Sequence, residues 1–292
     1  MLQWAKSNSR FMAAAIQIKP LLEEATIKLQ PVSESSRLDA ELLLCFVLKK
    51  ERSFFHAWPE HALEPQQHTQ FESLIKRRLE GEPIAHILGE RGFWSLNLTV
   101  TKDTLIPRPD TERLVELALE IIPQHAQWKI LDLGTGTGAI ALSLAKEKPA
   151  SFITATDRSI AALDVAKLNA EKNQLTNIEF IQSNWFENLS HQQFNMIVSN
   201  PPYICDNDPH LKQGDVRFEP LSALTSGTDG LDDIRAIINQ AQQYLLADGA
   251  VLLEHGYDQA DAVCDLLKAA NFKNIHSYKD HNNNSRVVTA NI

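Results

Sequence analysis

Cysteine is scarce in this chain: there are three in 292 residues, Cys45, Cys205 and Cys264, far apart and never as C-x-x-C. That excludes a disulfide framework and a cysteine-built zinc knuckle, and makes a reducing cytoplasm the expected setting. Long apolar runs are missing too. The N-terminal stretch "FMAAAI", Phe11 to Ile16, has only six residues, too short for the core of a secretory signal, and no run elsewhere reaches the length of a membrane span. Neither export nor a membrane is expected. Positive charge is in deficit, with a formal net charge of -9, which argues against a non-specific grip on nucleic acid. The ten histidines show no paired spacing on one helix, so no metal site is expected. Internal repeats and low-complexity tracts are absent.

What is present is an ordinary globular composition, 43% hydrophobic and 22% charged, on a length that suits one large or two modest domains. The first third reads as three short helices forming a small bundle. One lies in "AAAIQIKPLLEEATIKLQ", interrupted by Pro20. The second lies in "SSRLDAELLLCFVLKK", where Ser36 caps with Asp39 three residues on and Leu38, Leu42, Cys45 and Phe46 share a face. The third, in "LEPQQHTQFESLIKRRLEG", carries Phe71, Leu74, Ile75 and Leu79 and is stopped by Gly81. Near residue 86 the period changes to two, in "GFWSLNLTV", predicting a strand or hairpin. A helix with a proline start and an acidic first turn follows in "PRPDTERLVELALEII". From Lys129 onward, apolar strands alternate with amphipathic helices. That alternation predicts an α/β domain with a mostly parallel sheet covered on both faces.

Two segments carry chemistry. In "KILDLGTGTGAIALSLA" the glycines Gly134, Gly136 and Gly138 stand between a strand and a helix, where they allow a tight turn and close approach of a ligand. The next strand ends at Asp157, about 20 residues on, where a carboxylate accepts both hydroxyls of a ribose. Gly134, Gly136 and Ala139 also fit the G-x-G-x-x-A form of a dinucleotide fingerprint, so this segment alone leaves a nicotinamide dehydrogenase open. "LDLGTGTG" nonetheless resembles the first motif of class I S-adenosylmethionine-dependent methyltransferases.

The second segment, "SNPPYI", ends a strand with Asn200, Pro201, Pro202 and Tyr203. The prolines have no N–H, so the loop offers carbonyl oxygens, and Asn200 adds a side-chain oxygen. A ring of acceptors suits a planar –NH2 group, and Tyr203 is placed to stack on its face. Methyl transfer from a sulfonium needs chiefly an aligned nucleophile, so such a clamp suffices without a strong base.

With both motifs in place the chain resembles the HemK/PrmC family, the bacterial peptide chain release factor N5-glutamine methyltransferases, over nearly its full length. The resemblance rests on "RLDAELLL", "GEPIAHILGER", "FWSLNLTVTKDTLIPRPDTERLVE", "ILDLGTGTGAIALSLA", "SNWFENL", "MIVSNPPYI", "DPHLKQGDVRFEPLSAL" and "LLLEHG". It implies a class I methyltransferase fold, a Rossmann-like seven-stranded sheet, with a small N-terminal helical bundle joined by a β-hairpin. The expected boundaries are 1–85 for the bundle, which would dock the substrate, 86–104 for the hairpin linker and 105–292 for the methyltransferase domain.

Carried over by residue, the resemblance makes Gly134, Thr135, Gly136, Thr137, Gly138, Asp157, Trp185 and Asn200 the binding set for S-adenosyl-L-methionine, with S-adenosyl-L-homocysteine as product. Trp185 would flank the adenine. Asn200, Pro201, Pro202 and Tyr203 become the catalytic and substrate-binding set for the glutamine of the GGQ tripeptide in class 1 release factors. A cytoplasmic monomer without direct nucleic-acid contact is expected. Two departures stand out. Asn184 occupies a position commonly Asp in the family, which predicts a modest weakening of cofactor binding, and residues 1–11 precede the typical start, as a disordered lead or an upstream start codon.

Rival readings remain at this level. They are a ribosomal-protein glutamine N5-methyltransferase, an adenine-N6 nucleic-acid methyltransferase and a non-catalytic cofactor-binding protein. Arg217 and Glu219 in "DVRFEP" read equally as substrate-closing residues or as an ion pair ordering their loop. Arg108 and Glu112 read as cofactor-pocket residues, and Glu112 equally as a helix N-terminal charge.

Overall fold

The computed structural model describes residues 16–190 and 192–292, so the expectation for residues 1–11 lies outside the described residues. The chain divides into two compact units, Met1–Leu88 and Gly89–Ile292.

The first unit has five helices among its described residues: α1 (Ile18–Leu29), α2 (Ser36–Leu48), α3 (Ser53–Ala57), α4 (Pro65–Leu79) and α5 (Ile84–Leu88). The reading of three helices missed α3 and α5, because five residues are too few to show a helical period. Pro20 does not interrupt α1. It sits in the first turn, where an N–H has no intrahelical acceptor in any case. Gln67 reaches back to the Glu64 N–H at 2.9 Å to fix the start of α4, and Gly81, at φ +92°, takes the left-handed conformation just beyond its end.

Helix α2 corrects the sequence reading twice. Its buried face is Ala40, Leu43, Leu44 and Val47, whereas Leu38 and Phe46 are exposed. Three consecutive leucines let the pattern be drawn on either side, and packing against α1 and α4 chooses the other one. The cap is also different: Ser35 is the N-cap, without a side-chain cap bond. Asp39 instead accepts from the Ser33 hydroxyl at 2.8 Å, the Ser35 hydroxyl at 3.1 Å and Arg78 Nε at 2.8 Å. Asp39 and Arg78 are both buried. Removing one partner of such a pair strands the other charge, so Asp39→Ala is expected to destabilise this unit by about 3–5 kcal/mol in denaturant melts. A change under about 1 kcal/mol would mean that the pair is not buried in solution.

The second unit opens with a hairpin, β1 (Glu90–Phe93) and β2 (Leu96–Thr99), turned at Trp94 with φ +54°. Phe93, Leu96 and Leu98 are buried in the core of this unit. The hairpin, expected within a linker over 86–104, falls in the second unit, Gly89–Ile292. Then come α6 (Glu112–Ile121), β3 (Lys129–Leu133), α7 (Ala139–Glu147), β4 (Phe152–Asp157), α8 (Ile160–Lys172), β5 (Ile178–Gln182) and β6 (Phe194–Ser199). The chain closes with α9 (Asp232–Tyr244), β7 (Leu245–Glu254), α10 (Ala260–Ala269), β8 (Lys273–Lys279) and β9 (Ser285–Asn291).

The seven strands run in the order β5-β4-β3-β6-β7-β9-β8. The first five are parallel, and β9 is antiparallel to both β7 and β8. Alternate residues feed two cores. Ile130, Met196, Val198, Ala250 and Leu252 face one, and Leu131, Leu133, Ile197, Val251 and Leu253 face the other. A parallel sheet buried on both faces needs this near-continuous apolar run, and the sequence supplies it. The direction of winding reverses between β3 and β6, so their carboxyl ends leave a crevice where open α/β sheets bind ligands. Among the described residues no helix is long and apolar enough to cross a membrane.

Candidate active site

The two sequence motifs meet at that crevice. Leu133 and Ser199 are register partners across β3 and β6, and the Ser199 hydroxyl donates to the Leu133 carbonyl at 2.7 Å. Gly134 and Asn200 are the next residues on each strand, so they leave adjacent strand ends roughly 4.8 Å apart.

The glycine turn is built by its neighbours. Thr135 N–H donates to the Thr156 carbonyl at 2.8 Å, and the buried Thr135 hydroxyl donates to Asp132 Oδ2 at 2.6 Å. Asp132 lies wholly inside the apolar core, and that burial pushes its carboxyl up to about 7. Gly138, at φ +84°, starts α7. A Cβ there would stand 2.9 Å from Leu142 Cδ1, so both the backbone and the space demand glycine. Asp157, at the end of β4, accepts from Gly136 N–H and Ser159 N–H, each at 2.9 Å. Burial pushes its carboxyl up, while these N–H groups pull it back. Two of its roughly four lone-pair positions remain for a ligand.

Trp185 takes φ +50°, and its ring lies over Gly134: a Cβ on that glycine would sit 3.4 Å from the indole. Its Nε1 donates to Asp233 Oδ1 at 3.2 Å. Asn184 Nδ2 donates to Glu187 Oε1 at 2.8 Å, which leaves the side-chain oxygen as the end able to accept.

A cavity of about 220 Å³ opens here, walled by Gly134, Gly136, Asp157, Trp185, Asn200 and Pro202. Of the other residues expected at the site, Thr135, Thr137 and Gly138 stand in the turn but not in the wall, and Pro201 is buried behind it. Tyr203 is also outside the wall, with its hydroxyl donating to Glu254 Oε1 at 3.3 Å. The expected stacking of Tyr203 on a bound amide therefore has no counterpart in the cavity as it stands. Burial raises the Tyr203 hydroxyl's pKa well above its ordinary value, and the neighbouring Glu254 charge raises it further.

Glu219 and Arg108 form an ion pair, and Glu219 Oε2 also accepts from the Ile106 N–H at 2.9 Å. Glu219 is thus an ordering residue, with burial raising its pKa and Arg108 lowering it. Arg217 lies over the Phe218 ring at 4.9 Å. Glu112 accepts from the Trp94 N–H at 2.8 Å and is not in the cavity wall.

Sequence reasoning missed several wall residues: Lys102, Asp103, Leu105, Arg158, Ser183 and Asp233. Lys102 to Leu105 lie in the stretch "FWSLNLTVTKDTLIPRPDTERLVE" that carries the resemblance, but none of the four is given a role there. Asp233 reads in sequence as an ordinary first-turn acid of α9. Among the described residues no group of His, Cys, Asp or Glu is arranged to hold a metal ion.

Comparison with known proteins finds relatives along most of the chain. Residues 20–89 match the family model described as the PrmC N-terminal domain, and residues 113–214 match the methyltransferase small domain. A release factor glutamine methyltransferase of Pseudomonas aeruginosa is 52% identical over 258 residues, covering 88% of this chain and 93% of the relative. The protein of that name from Escherichia coli strain K12 is 50% identical over 267 residues, 91% of this chain and 96% of its own. Among solved structures, a methyltransferase from Pyrococcus furiosus superposes with a TM-score of 0.53 at 16% identity, over 74% of this chain and 96% of that one, which speaks to the fold alone. With half of its residues shared along nearly the whole length of such relatives, the chain belongs to the release factor glutamine methyltransferase family.

Proposed function

We propose that the protein transfers the methyl group of S-adenosyl-L-methionine to the side-chain amide nitrogen of the GGQ glutamine in class 1 peptide chain release factors. The observation that carries this reading is the opening of the glycine turn and the Asn-Pro-Pro-Tyr loop onto one cavity across β3 and β6, in a chain of this family. The release-factor substrate implies work in the cytoplasm.

The residues of the cavity fit the cofactor. Asp157 keeps acceptor capacity for a pair of ribose hydroxyls, and Gly134 and Gly136 present backbone without side chains. Trp185 offers an aromatic face, and Asn184 an oxygen for an amine. Because Glu187 fixes the Asn184 amide, the Asn in place of the family's usual Asp still supplies an acceptor, and the expected weakening of binding is offset. When bound, the cofactor supplies a methyl group already activated by its positive sulfur. The protein's task is to hold the substrate nitrogen in line and keep water out. Asn200 Nδ2 donates to Thr111 Oγ1 at 3.1 Å, so the Asn200 oxygen is the end left to accept from the glutamine –NH2. Pro201 and Pro202 contribute carbonyls and no competing N–H. The N-terminal unit, with Ile27, Phe46 and Trp58 exposed, is the proposed docking surface for the protein substrate.

The test is radiolabel transfer from S-adenosylmethionine to a purified class 1 release factor and to the same factor with its GGQ glutamine changed to alanine. Label on the first protein alone is the expected result. Equal label on both would refute the proposed target.

A further inference from the structure

The stretch "SNWFEN", 183–188, follows β5 and turns at Trp185, whose backbone stands at φ +50°. Bulky residues rarely adopt that conformation, and it persists only where the surroundings hold it. Here they do. The buried Ser183 hydroxyl donates to the Trp185 carbonyl at 2.8 Å and accepts from the Asn188 N–H at 3.0 Å, while Phe186 and Leu189 are sunk in the core.

The indole above this turn is held at both edges. A Cβ on Gly134 would stand 3.4 Å from its Cζ3 and 3.7 Å from its Cη2, so the six-membered ring lies over the end of β3. The opposite edge carries Nε1, which donates to Asp233 Oδ1 at 3.2 Å in the first turn of α9. Asp233 is itself anchored. Its N–H donates to Ser226 Oγ at 2.7 Å, the Ser226 N–H donates to the Ile204 carbonyl at 2.9 Å, and the next residue, Ile234, is wholly buried. Trp185 and Asp233 both wall the cavity.

We propose that Asp233 is a positioning residue for the cofactor, fixing the Trp185 indole as a wall of the cavity that stands ready before the ligand arrives. The proposal rests on the reading of the cavity as the S-adenosylmethionine site. An indole N–H only donates and a carboxylate only accepts, so the pair has one sense. Contact with Gly134 limits how closely the ring approaches β3 but leaves its tilt open. A hydrogen bond is directional and sets the tilt. A side chain that is free to turn has to be ordered when a ligand binds, and that ordering is subtracted from affinity. With Asp233 in place, the ordering happens on folding and not on binding.

The experiment compares wild type with Asp233→Ala, Asp233→Asn, Trp185→Phe and the Trp185→Phe/Asp233→Ala double variant in the full chain. It reads Kd for S-adenosylhomocysteine by calorimetry, kcat and KM for S-adenosylmethionine, and the melting temperature. Helix α9 keeps Asp232 as a first-turn acid in all of them. Asp233→Ala is expected to raise Kd about fivefold, the effect of one side chain left to be ordered by the ligand. The same variant is expected to raise KM for the cofactor with kcat within about twofold of wild type, since the bound state is unchanged once formed. Asp233→Asn keeps an acceptor oxygen and is expected to bind within about twofold of wild type. Trp185→Phe keeps a flat ring without the N–H, and in that background Asp233→Ala is expected to change Kd by less than about twofold. Asp233→Leu, similar in shape and without an acceptor, takes the place of the Ala variant should that one not fold.

Wild-type binding in Asp233→Ala would overturn the proposal, and so would equal losses in the Ala and Asn variants. An equal loss in the Trp and Phe backgrounds would also overturn it, because Asp233 would then act without the indole. A wild type that binds no S-adenosylhomocysteine would sink the functional reading and this proposal together. A wild type that binds, beside an unaffected Asp233→Ala, would sink this proposal alone.

Discussion

Asn200→Ala is expected to lower kcat by about 10³-fold, while the cofactor Kd moves by less than about fivefold. The separation follows from where Asn200 sits. Its nitrogen is engaged by Thr111, so its oxygen is the one side-chain acceptor of the Asn-Pro-Pro-Tyr loop available to a substrate –NH2. Alanine removes that acceptor and leaves the glycine turn, Asp157 and Trp185 untouched. An amide nitrogen shares its lone pair with its carbonyl, and acceptors drawing on its N–H bonds favour the pyramidal geometry in which the nitrogen can attack. The loss therefore belongs to the chemical step. Single-turnover transfer from labelled cofactor, alongside a cofactor titration, reads the two quantities separately. Wild-type turnover in the variant would show that positioning by Asn200 is dispensable.

The second large effect falls on binding. Asp157→Ala is expected to raise the cofactor Kd by about 100-fold or more, because two charge-assisted hydrogen bonds of roughly 1.5–3 kcal/mol each are lost. The variant also releases the Gly136 and Ser159 N–H groups that the carboxylate holds at 2.9 Å, so the turn loses its brace as well as its ligand contact. Calorimetric titration with S-adenosylhomocysteine measures this without requiring turnover. A Kd within about threefold of wild type would assign Asp157 to the turn alone. The contrast with Asn200 is the useful part: one variant binds and fails to react, and the other fails to bind.

Much of this site was legible in the sequence because it is local. Gly134, Gly136 and Gly138 stand between an apolar run and an amphipathic one, and Asp157 closes the next apolar run, so strand, turn, helix and strand were fixed by spacing. Asn200 to Tyr203 follow β6 directly, and a parallel sheet brings strand ends together whatever the loops contain. The residues that escaped notice are those supplied from afar. Thr111 reads as one more polar residue in an acidic first turn, Glu254 as the polar end of an apolar strand, and Asp233 as a helix acid. Only the tertiary fold sets Thr111 against Asn200 and Glu254 against Tyr203. Helix α2 shows the other way a pattern misleads. With leucines at 42, 43 and 44 its own period allows two faces, and neighbours outside the segment decide between them.

The Arg108–Glu219 pair joins residues 111 positions apart, and Glu219 holds the Ile106 N–H across 113. Contacts of such separation demand large loop closures and form late in folding. During synthesis, the glycine turn and β4 have left the ribosome well before residue 219 exists. The segment from Ile106 to Arg108 must then wait for a partner not yet made. Any nascent chain shorter than that contains the glycine turn without this tether, so the segment beside the pocket stays unbraced until about three-quarters of the chain has been made.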